Sequence, residues 1–257
     1  MKFLEWLRWL LALLARWSKP ASTVEPAPPP AVPVGAVGDV PVTAALLVSL
    51  GVGMDAASRW APLISDACAR FQINTKKRVA MFLANIIHET GGLSRWEENL
   101  NYSVAGLLGG FGRHRISAAD CERLGRKVGQ GALSRAQQDA IADVIYGGAF
   151  GRDELGNTEP GDGSRFKGRG LIQATGRAMY SRLAMAFGFG DPLAVRDWLI
   201  TREGAALSAA WIWTVEKRCN PLADAGDVRA ARKKINGGDK GLDEVTALNG
   251  RALAAMP

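Results

Sequence analysis

Apolar residues recur every three or four positions from residue 41 to the end of the chain, the spacing of helices with one buried face. The pattern predicts helices over residues 43–50, 56–71, 76–89, 118–128, 134–146, 176–187, 192–199, 204–217, 227–235 and 242–256. Thr75 can cap the third of these, and residues 103–108 suggest a short turn. Residues 151–168 predict a long polar loop, and strand-like alternation is scarce. We therefore expect an all-α domain over residues 41–257.

The first 40 residues follow a different pattern. Residues 1–17 are rich in Leu and Trp, with a narrow polar stripe that includes Glu5 and Arg8. As a helix, residues 4–17 would span about 21 Å, short of a roughly 30 Å hydrocarbon core. We predict an amphipathic helix in a membrane interface, with a signal peptide and a helix docked on the protein itself as alternatives. Residues 18–40 are rich in Pro and Ala and predict a semi-rigid linker.

Composition limits the chemistry. The chain has 257 residues and a net charge of +7, which suits an anionic partner such as nucleic acid, acidic lipid or bacterial cell wall. Cys68, Cys121 and Cys219 are too few and too scattered for a disulfide scaffold or a zinc cluster, so we expect them in the core. His88-Glu89 is not followed by a second His four residues later, so the zinc-protease motif is absent. No nucleophile elbow is present either.

The candidate chemistry lies in residues 80–102, where Glu89 and Glu98 flank Gly91-Gly92. An unbroken helix would hold the two carboxylates about 13 Å apart, but the glycines let the chain fold back. One Glu that ends an apolar helix and one in a polar turn match the acid and the base of glycoside hydrolysis. Glu is also common at helix ends, so the spacing alone leaves solvated surface charge as an alternative.

Four separated motifs resemble glycoside hydrolase family 19, which comprises the plant-type chitinases and related phage endolysins. They are HETGG at 88–92, ENLNY at 98–102, FKGRGLIQATGRAMY at 166–180 and INGG at 235–238. They follow the family's order, and the ENLNY segment and the lack of a disulfide scaffold are more similar to the endolysin branch. The resemblance implies a lysozyme-like, two-lobed helical domain with a cleft, which needs no metal or cofactor.

Carried over to matching positions, the resemblance makes Glu89 the general acid and Glu98 the general base of a single displacement with inversion. Thr175 matches a hydroxyl that helps to hold the attacking water. A hydroxyl suits this role because it both donates and accepts hydrogen bonds. Gln173 and Asn236 match amide side chains that bind sugar hydroxyl and acetamido groups.

Three further positions are candidates for substrate binding. Tyr102 and Tyr180 match aromatic positions near the cleft, with a plain core position as the alternative for each. His88 either orients Glu89 or satisfies a backbone carbonyl. Met179 departs from the family, which usually has Asn there; a thioether cannot donate to a sugar, so we expect one subsite contact to be lost or rearranged.

The expected function is an endolysin-like glycosidase that cleaves the N-acetylated glycan of peptidoglycan. A chitinase and a non-catalytic wall-binding module are the alternatives. We expect a monomer that acts in the periplasm or at the cell wall, associated with the membrane through residues 1–17. A nucleic-acid site at Arg165, Lys167 and Arg169 is disfavoured, because neither a P-loop pattern nor a row of aromatic residues accompanies them.

Overall fold

The computed structural model describes residues 40–257 and shows fourteen α-helices and one π-helical segment, with three isolated β-bridges but no named strand among these residues. The helices are α1 (Ala44–Ser49), α2 (Met54–Arg70), α3 (Lys76–Thr90), α4 (Val104–Gly110), α5 (Ala118–Leu124), α6 (Arg135–Ile145), α7 (Gly148–Leu155), α8 (Asp162–Arg165), α9 (Arg177–Phe187), α10 (Pro192–Leu199), α11 (Arg202–Trp211), α12 (Asn220–Ala225), α13 (Val228–Asn236) and α14 (Leu242–Ala255), and the π-helical segment Ile212–Glu216 follows α11. The all-α prediction is confirmed. The helix and linker predicted before residue 40 lie outside the described residues.

Two separate apolar cores make the domain two-lobed. The larger core contains the buried faces of α1–α3, α9–α11 and the C-terminal helices. The smaller core is formed mainly by α4, α5 and α6, and its buried members are Leu100, Leu107, Ile116, Cys121, Leu133, Ile141, Ala142, Ile145 and Tyr146. All three cysteines are buried and unpaired, as predicted. Within residues 40–257, none of the helices has the length and apolar character needed to cross a membrane.

Helix α3 is the centre of the larger lobe, and its ends form as the sequence indicates. The Thr75 hydroxyl accepts a hydrogen bond from the backbone N–H of Arg78 at the first turn. Every residue from 79 to 87 is buried, and the helix packs closely against α14. Gly91 ends it in the left-handed conformation (φ 57°), which glycine adopts without steric cost. Glu89 therefore lies in the last turn of a rigid, buried element.

The polar loop predicted over residues 151–168 is wrong, because it contains most of α7 and all of α8. Gly147 and Gly148 follow the end of α6 and begin α7 directly after it. A side chain at Gly151 would place its Cβ 2.0 Å from the Tyr146 carbonyl oxygen. The absence of a side chain at Gly151 therefore allows α7 to pack closely against the end of α6. Helix α12 was also not predicted.

Candidate active site

Glu98 is fixed from both lobes. The Tyr146 hydroxyl, from the smaller core, donates to Glu98 Oε1 at 2.6 Å, and the Gly168 N–H donates to Oε2 at 3.2 Å. The backbone of Glu98 is held as well, because its N–H donates to the Gly168 carbonyl at 2.9 Å. Burial, together with the Glu98 charge, raises the pKa of Tyr146 well above its usual range. The phenol therefore stays protonated and continues to donate to Glu98.

Gly168 is the point around which the site converges. A Cβ at this position would lie 2.8 Å from Gln173 Oε1, 3.3 Å from Glu98 Oε2 and 3.4 Å from Thr175 Oγ1. Two backbone hydrogen bonds between Arg169 and Ala174, at 3.1 and 2.7 Å, close the loop that carries these groups. Glu98, Gln173 and Thr175, which the sequence analysis selected separately, therefore share one small volume.

The side chains of Gln173 and Thr175 are both held in place by hydrogen bonds to the backbone of this loop. The Thr175 hydroxyl donates to the Gln173 carbonyl at 2.9 Å, which leaves its oxygen lone pairs as acceptors. Gln173 has a positive φ of 48°, and its Nε2 donates to the Gly170 carbonyl at 3.0 Å. A positive φ is uncommon for a residue with a side chain and is often found at functional sites. The loop thus presents a hydroxyl and an amide oxygen beside Glu98.

Glu89 ends an apolar helix, but its carboxylate lies beside a buried cation. Its Oε1 accepts a hydrogen bond of 2.5 Å from Arg232, whose side chain is only 2% exposed. Arg232 is itself fixed by α13 and by a 2.9 Å bond from its Nε to the Lys240 carbonyl. The Glu89 side chain is 22% exposed and so remains accessible to solvent. Its surroundings combine a buried cation with an open side.

Asn236 and His88 belong to the same end of the larger lobe. Asn236 lies one helical turn after Arg232, partly exposed, and its Nδ2 donates to the Lys240 carbonyl at 2.8 Å. His88 Nδ1 lies 2.8 Å from Glu244 Oε2, so it makes neither contact that we expected, with Glu89 or with a backbone carbonyl. The His88 ring packs against Gly241, where a Cβ would lie 2.2 Å from Nε2. Sugar binding by Asn236 and His88 stays a prediction.

The two tyrosines differ in exposure. Tyr180 is fully buried; its hydroxyl donates to the Lys167 carbonyl at 2.7 Å and accepts from Arg169 at 3.1 Å. Burial raises its pKa to about 12. These contacts favour the core alternative for Tyr180. Tyr102 is partly exposed and packs edge-to-face on Phe111, with ring centroids 5.3 Å apart.

Met179, the departure from the family motif, packs partly buried against the larger core. Within the described residues, Arg182 is its polar contact, at 3.9 Å from the sulfur. The Met179 side chain therefore serves packing. The loss or rearrangement of a subsite contact at this position stays a prediction.

Two neighbouring cavities lie along residues 94–99. One, of about 290 Å³, is lined by Glu97, Glu98, Asn99, Arg135, Gln138 and Lys167. The other, of about 340 Å³, is lined by Ser94, Arg95, Trp96, Glu97, Asn99 and Ile200. They share Glu97 and Asn99, so together they form an open groove beside the carboxylate. Within residues 40–257, no three or more His, Cys, Asp or Glu side chains are grouped to hold a metal ion.

Sequence reasoning missed Tyr146 and Arg232, the direct partners of the two carboxylates. Arg232 had a usable signal, because it lies four residues before Asn236 and so shares its helix face. Tyr146 had none, since its contact joins residues 48 positions apart in the chain.

A two-lobed helical domain with a fixed carboxylate between the lobes and a groove beside it defines a glycoside hydrolase of lysozyme-like architecture. No protein-family model matches the chain. A Haemophilus influenzae protein described as a glycosyl hydrolase family 19 domain-containing protein is 34% identical over 169 residues, which cover 66% of this chain and 75% of that protein. The chain belongs to glycosyl hydrolase family 19, as its four motifs predicted.

Two solved structures of chitinase C share the fold. Chitinase C from Streptomyces griseus superposes with a TM-score of 0.52 at 17% identity, over 84% of this chain and 93% of that one. A mutant of chitinase C gives a TM-score of 0.54 at 16% identity, over 85% and 95% of the two chains. At these identities the likeness shows the fold, and the fold class predicted for residues 41–257 is confirmed.

Proposed function

We propose that this protein is an endolysin-like glycosidase that hydrolyses the β-1,4 bonds between the N-acetylated amino sugars of peptidoglycan, with inversion at the anomeric carbon. The observation that carries the proposal is the convergence of Glu98, Gln173 and Thr175 around Gly168, beside an open groove. Such a group can hold and deprotonate a water molecule, which is the demand of single-displacement hydrolysis.

Glu98 is assigned as the general base. Both its oxygens accept hydrogen bonds, from Tyr146 and from Gly168, so the carboxylate cannot rotate freely. An oriented base removes a proton from water more effectively than a mobile one, because the geometry of attack is already set. The free acceptor positions of Thr175 support a second hydrogen bond to the same water.

Glu89 is assigned as the general acid. Its hydrogen bond to Arg232 fixes the carboxyl at the end of α3, and its exposed side is available to a leaving oxygen. Because a guanidinium only donates hydrogen bonds, Arg232 holds the oxygen that does not carry the proton. Proton transfer then requires that Glu89 be protonated on its other oxygen when the glycan is bound.

The net charge of +7 supports peptidoglycan over chitin as the substrate, because bacterial walls are anionic and chitin is not. Chitin is the second candidate, since both solved structures reported above are of chitinase C. A non-catalytic wall-binding module would have no need for a carboxylate oriented from two lobes.

Digestion by the full chain is the test of this proposal. We expect purified peptidoglycan to be cleaved faster than chitin, with product masses that correspond to glycan fragments and an α-anomer as the first product in proton NMR. Inversion needs room for water, with carboxyls about 6.5–9.5 Å apart, whereas retention needs about 5 Å. A β-anomer formed first would refute the mechanism, and faster cleavage of chitin would favour the second candidate.

We further propose that residues 1–17 bind the membrane surface and that the enzyme acts in the periplasm or at the wall. Support comes from the sequence alone, through the amphipathic pattern and the Pro-rich linker. We expect the full chain to float with phosphatidylglycerol vesicles and a variant lacking residues 1–40 to remain soluble, folded and active. The measurements are vesicle flotation and thermal melting. Flotation of the truncated variant, or its aggregation, would contradict this proposal.

A further inference from the structure

We propose that the 290 Å³ cavity beside Glu98 is a subsite for a carboxylate group on the substrate, bound by Lys167 and Arg135. This inference deepens the proposed function and rests on it. It concerns the choice of substrate and not the hydrolysis itself, because Glu89 and Glu98 need no charged group on the glycan to act as acid and base.

Lys167 supplies the first observation. Its side chain is only 5% exposed, yet it lines the cavity. The ammonium lies 3.6 Å from Glu97 Oε1 and 3.7 Å from Asp139 Oδ1, which are ion-pair distances too long for hydrogen bonds. Among residues 40–257, no acceptor lies within hydrogen-bond distance of this nitrogen. The stem of Lys167 is buried while its ammonium faces the cavity, so an acceptor that enters there can take a charge-assisted hydrogen bond from it.

Arg135 supplies the second observation. It is the first residue of α6, and its side chain is 71% exposed at the rim of the same cavity. Its contacts are equally long, 3.6 Å to Glu97 and 3.9 Å to Asp139. The positive end of the α6 dipole adds to the potential around this residue. Two cations from separate segments thus keep unused donors at one cavity.

The acidic neighbours leave the hydrogen-bond donors of these two cations unoccupied. Glu98 turns its two oxygens toward Tyr146 and Gly168. Glu97 accepts its shortest contact, 3.2 Å, from the buried Arg169. Asp139 lies 3.7 Å from Lys167 Nζ and 3.9 Å from Arg135 Nε, too far to occupy their N–H groups with hydrogen bonds. A substrate carboxylate that comes within hydrogen-bond distance would therefore compete with Asp139 for these donors.

A carboxylate in this position separates two glycans of similar backbone. The repeating unit of chitin carries no charge. Peptidoglycan carries a lactyl carboxylate where the stem peptide is absent, and carboxylates on the stem peptide where it is present. The cavity therefore favours peptidoglycan by the same chemistry in either case, and the two sources can be separated by experiment.

The test compares kcat/KM on three substrates: peptide-bearing strands, strands freed of peptide, and chitin oligomers. We expect Arg135→Gln to lower the ratio of kcat/KM on a carboxylate-bearing strand to that on chitin about tenfold, mainly through KM. Lys167→Gln should act in the same direction, with thermal melting to show that it folds. The control is Arg59→Gln, which removes the same charge from another exposed i,i+4 ion pair on a helix.

Each outcome decides the question. A lower ratio for Arg135→Gln on peptide-free strands supports the lactyl carboxylate, and one on peptide-bearing strands supports the stem peptide. An unchanged ratio on both, or an equal change in Arg59→Gln, would overturn the subsite while leaving the proposed function intact. A wild-type protein that does not cleave peptidoglycan would instead overturn the proposed function, and this inference with it.

Discussion

Glu89→Gln is expected to lower kcat on peptidoglycan by about 10²–10⁴-fold, the usual contribution of a general acid. The amide has nearly the same shape and can still accept the hydrogen bond from Arg232, but it has no acidic proton for the leaving oxygen. Substrate binding and folding should change little. The measurements are steady-state kinetics, glycan binding and thermal melting.

Glu122→Gln is the control for this variant, because it neutralises an exposed carboxylate whose partner is Lys127 on the smaller lobe. It should retain wild-type kinetics. If Glu89→Gln keeps more than a tenth of the wild-type rate, Glu89 is not the general acid, and the reason for its position beside Arg232 has to be sought elsewhere.

Gly168→Ala is expected to lower kcat/KM by about 10²-fold, the order found when reacting groups are misplaced by roughly 1 Å. The added methyl would lie 2.8 Å from Gln173 Oε1 and 3.3 Å from Glu98 Oε2, so it would occupy space between the groups assigned to the water. Gln173 has to move first, because its contact is the closest. Kinetics and thermal melting together measure the effect.

Gly131→Ala is the matched control, since a Cβ there has no heavy atom within 4 Å. We expect it to leave the kinetics unchanged. Wild-type activity in a folded Gly168→Ala variant would show that the reacting water does not lie in this volume, and the assignment of Glu98 and Thr175 would fail together.

Helix prediction succeeded where the determinants are local. Helix α10 was predicted from its apolar spacing with the bounds that the structure shows, Pro192–Leu199, and the structure shows that Asp191 caps it and that Pro192 lies in its first turn. The end of α3 at Gly91 was predicted because paired glycines favour the conformations that stop a helix. The prediction of a polar loop over residues 151–168 failed because glycine has two roles in folded proteins. It breaks helices, but it also allows close packing, and at Gly151 the second role applies.

The candidate site divides in the same way. Glu98, Gln173 and Thr175 were selected by motif, and the structure brings them together around Gly168. Tyr180 was selected by the same motif but lies in the core. A motif records which residues occur together and does not record which of them support the loop and which face the groove.

By itself the sequence determined that residues 41–257 form an all-α domain, that α3 ends at a glycine, and that two carboxylates flank this break. These features depend on helical periodicity, capping and glycine conformation, which act over a few residues. Only the tertiary structure decided the partners of the carboxylates, Tyr146 for Glu98 and Arg232 for Glu89, which lie 48 and 143 residues apart in the chain. The physical reason is that hydrogen bonds and ion pairs depend on distances of a few ångströms, and the packing of the two lobes sets those distances.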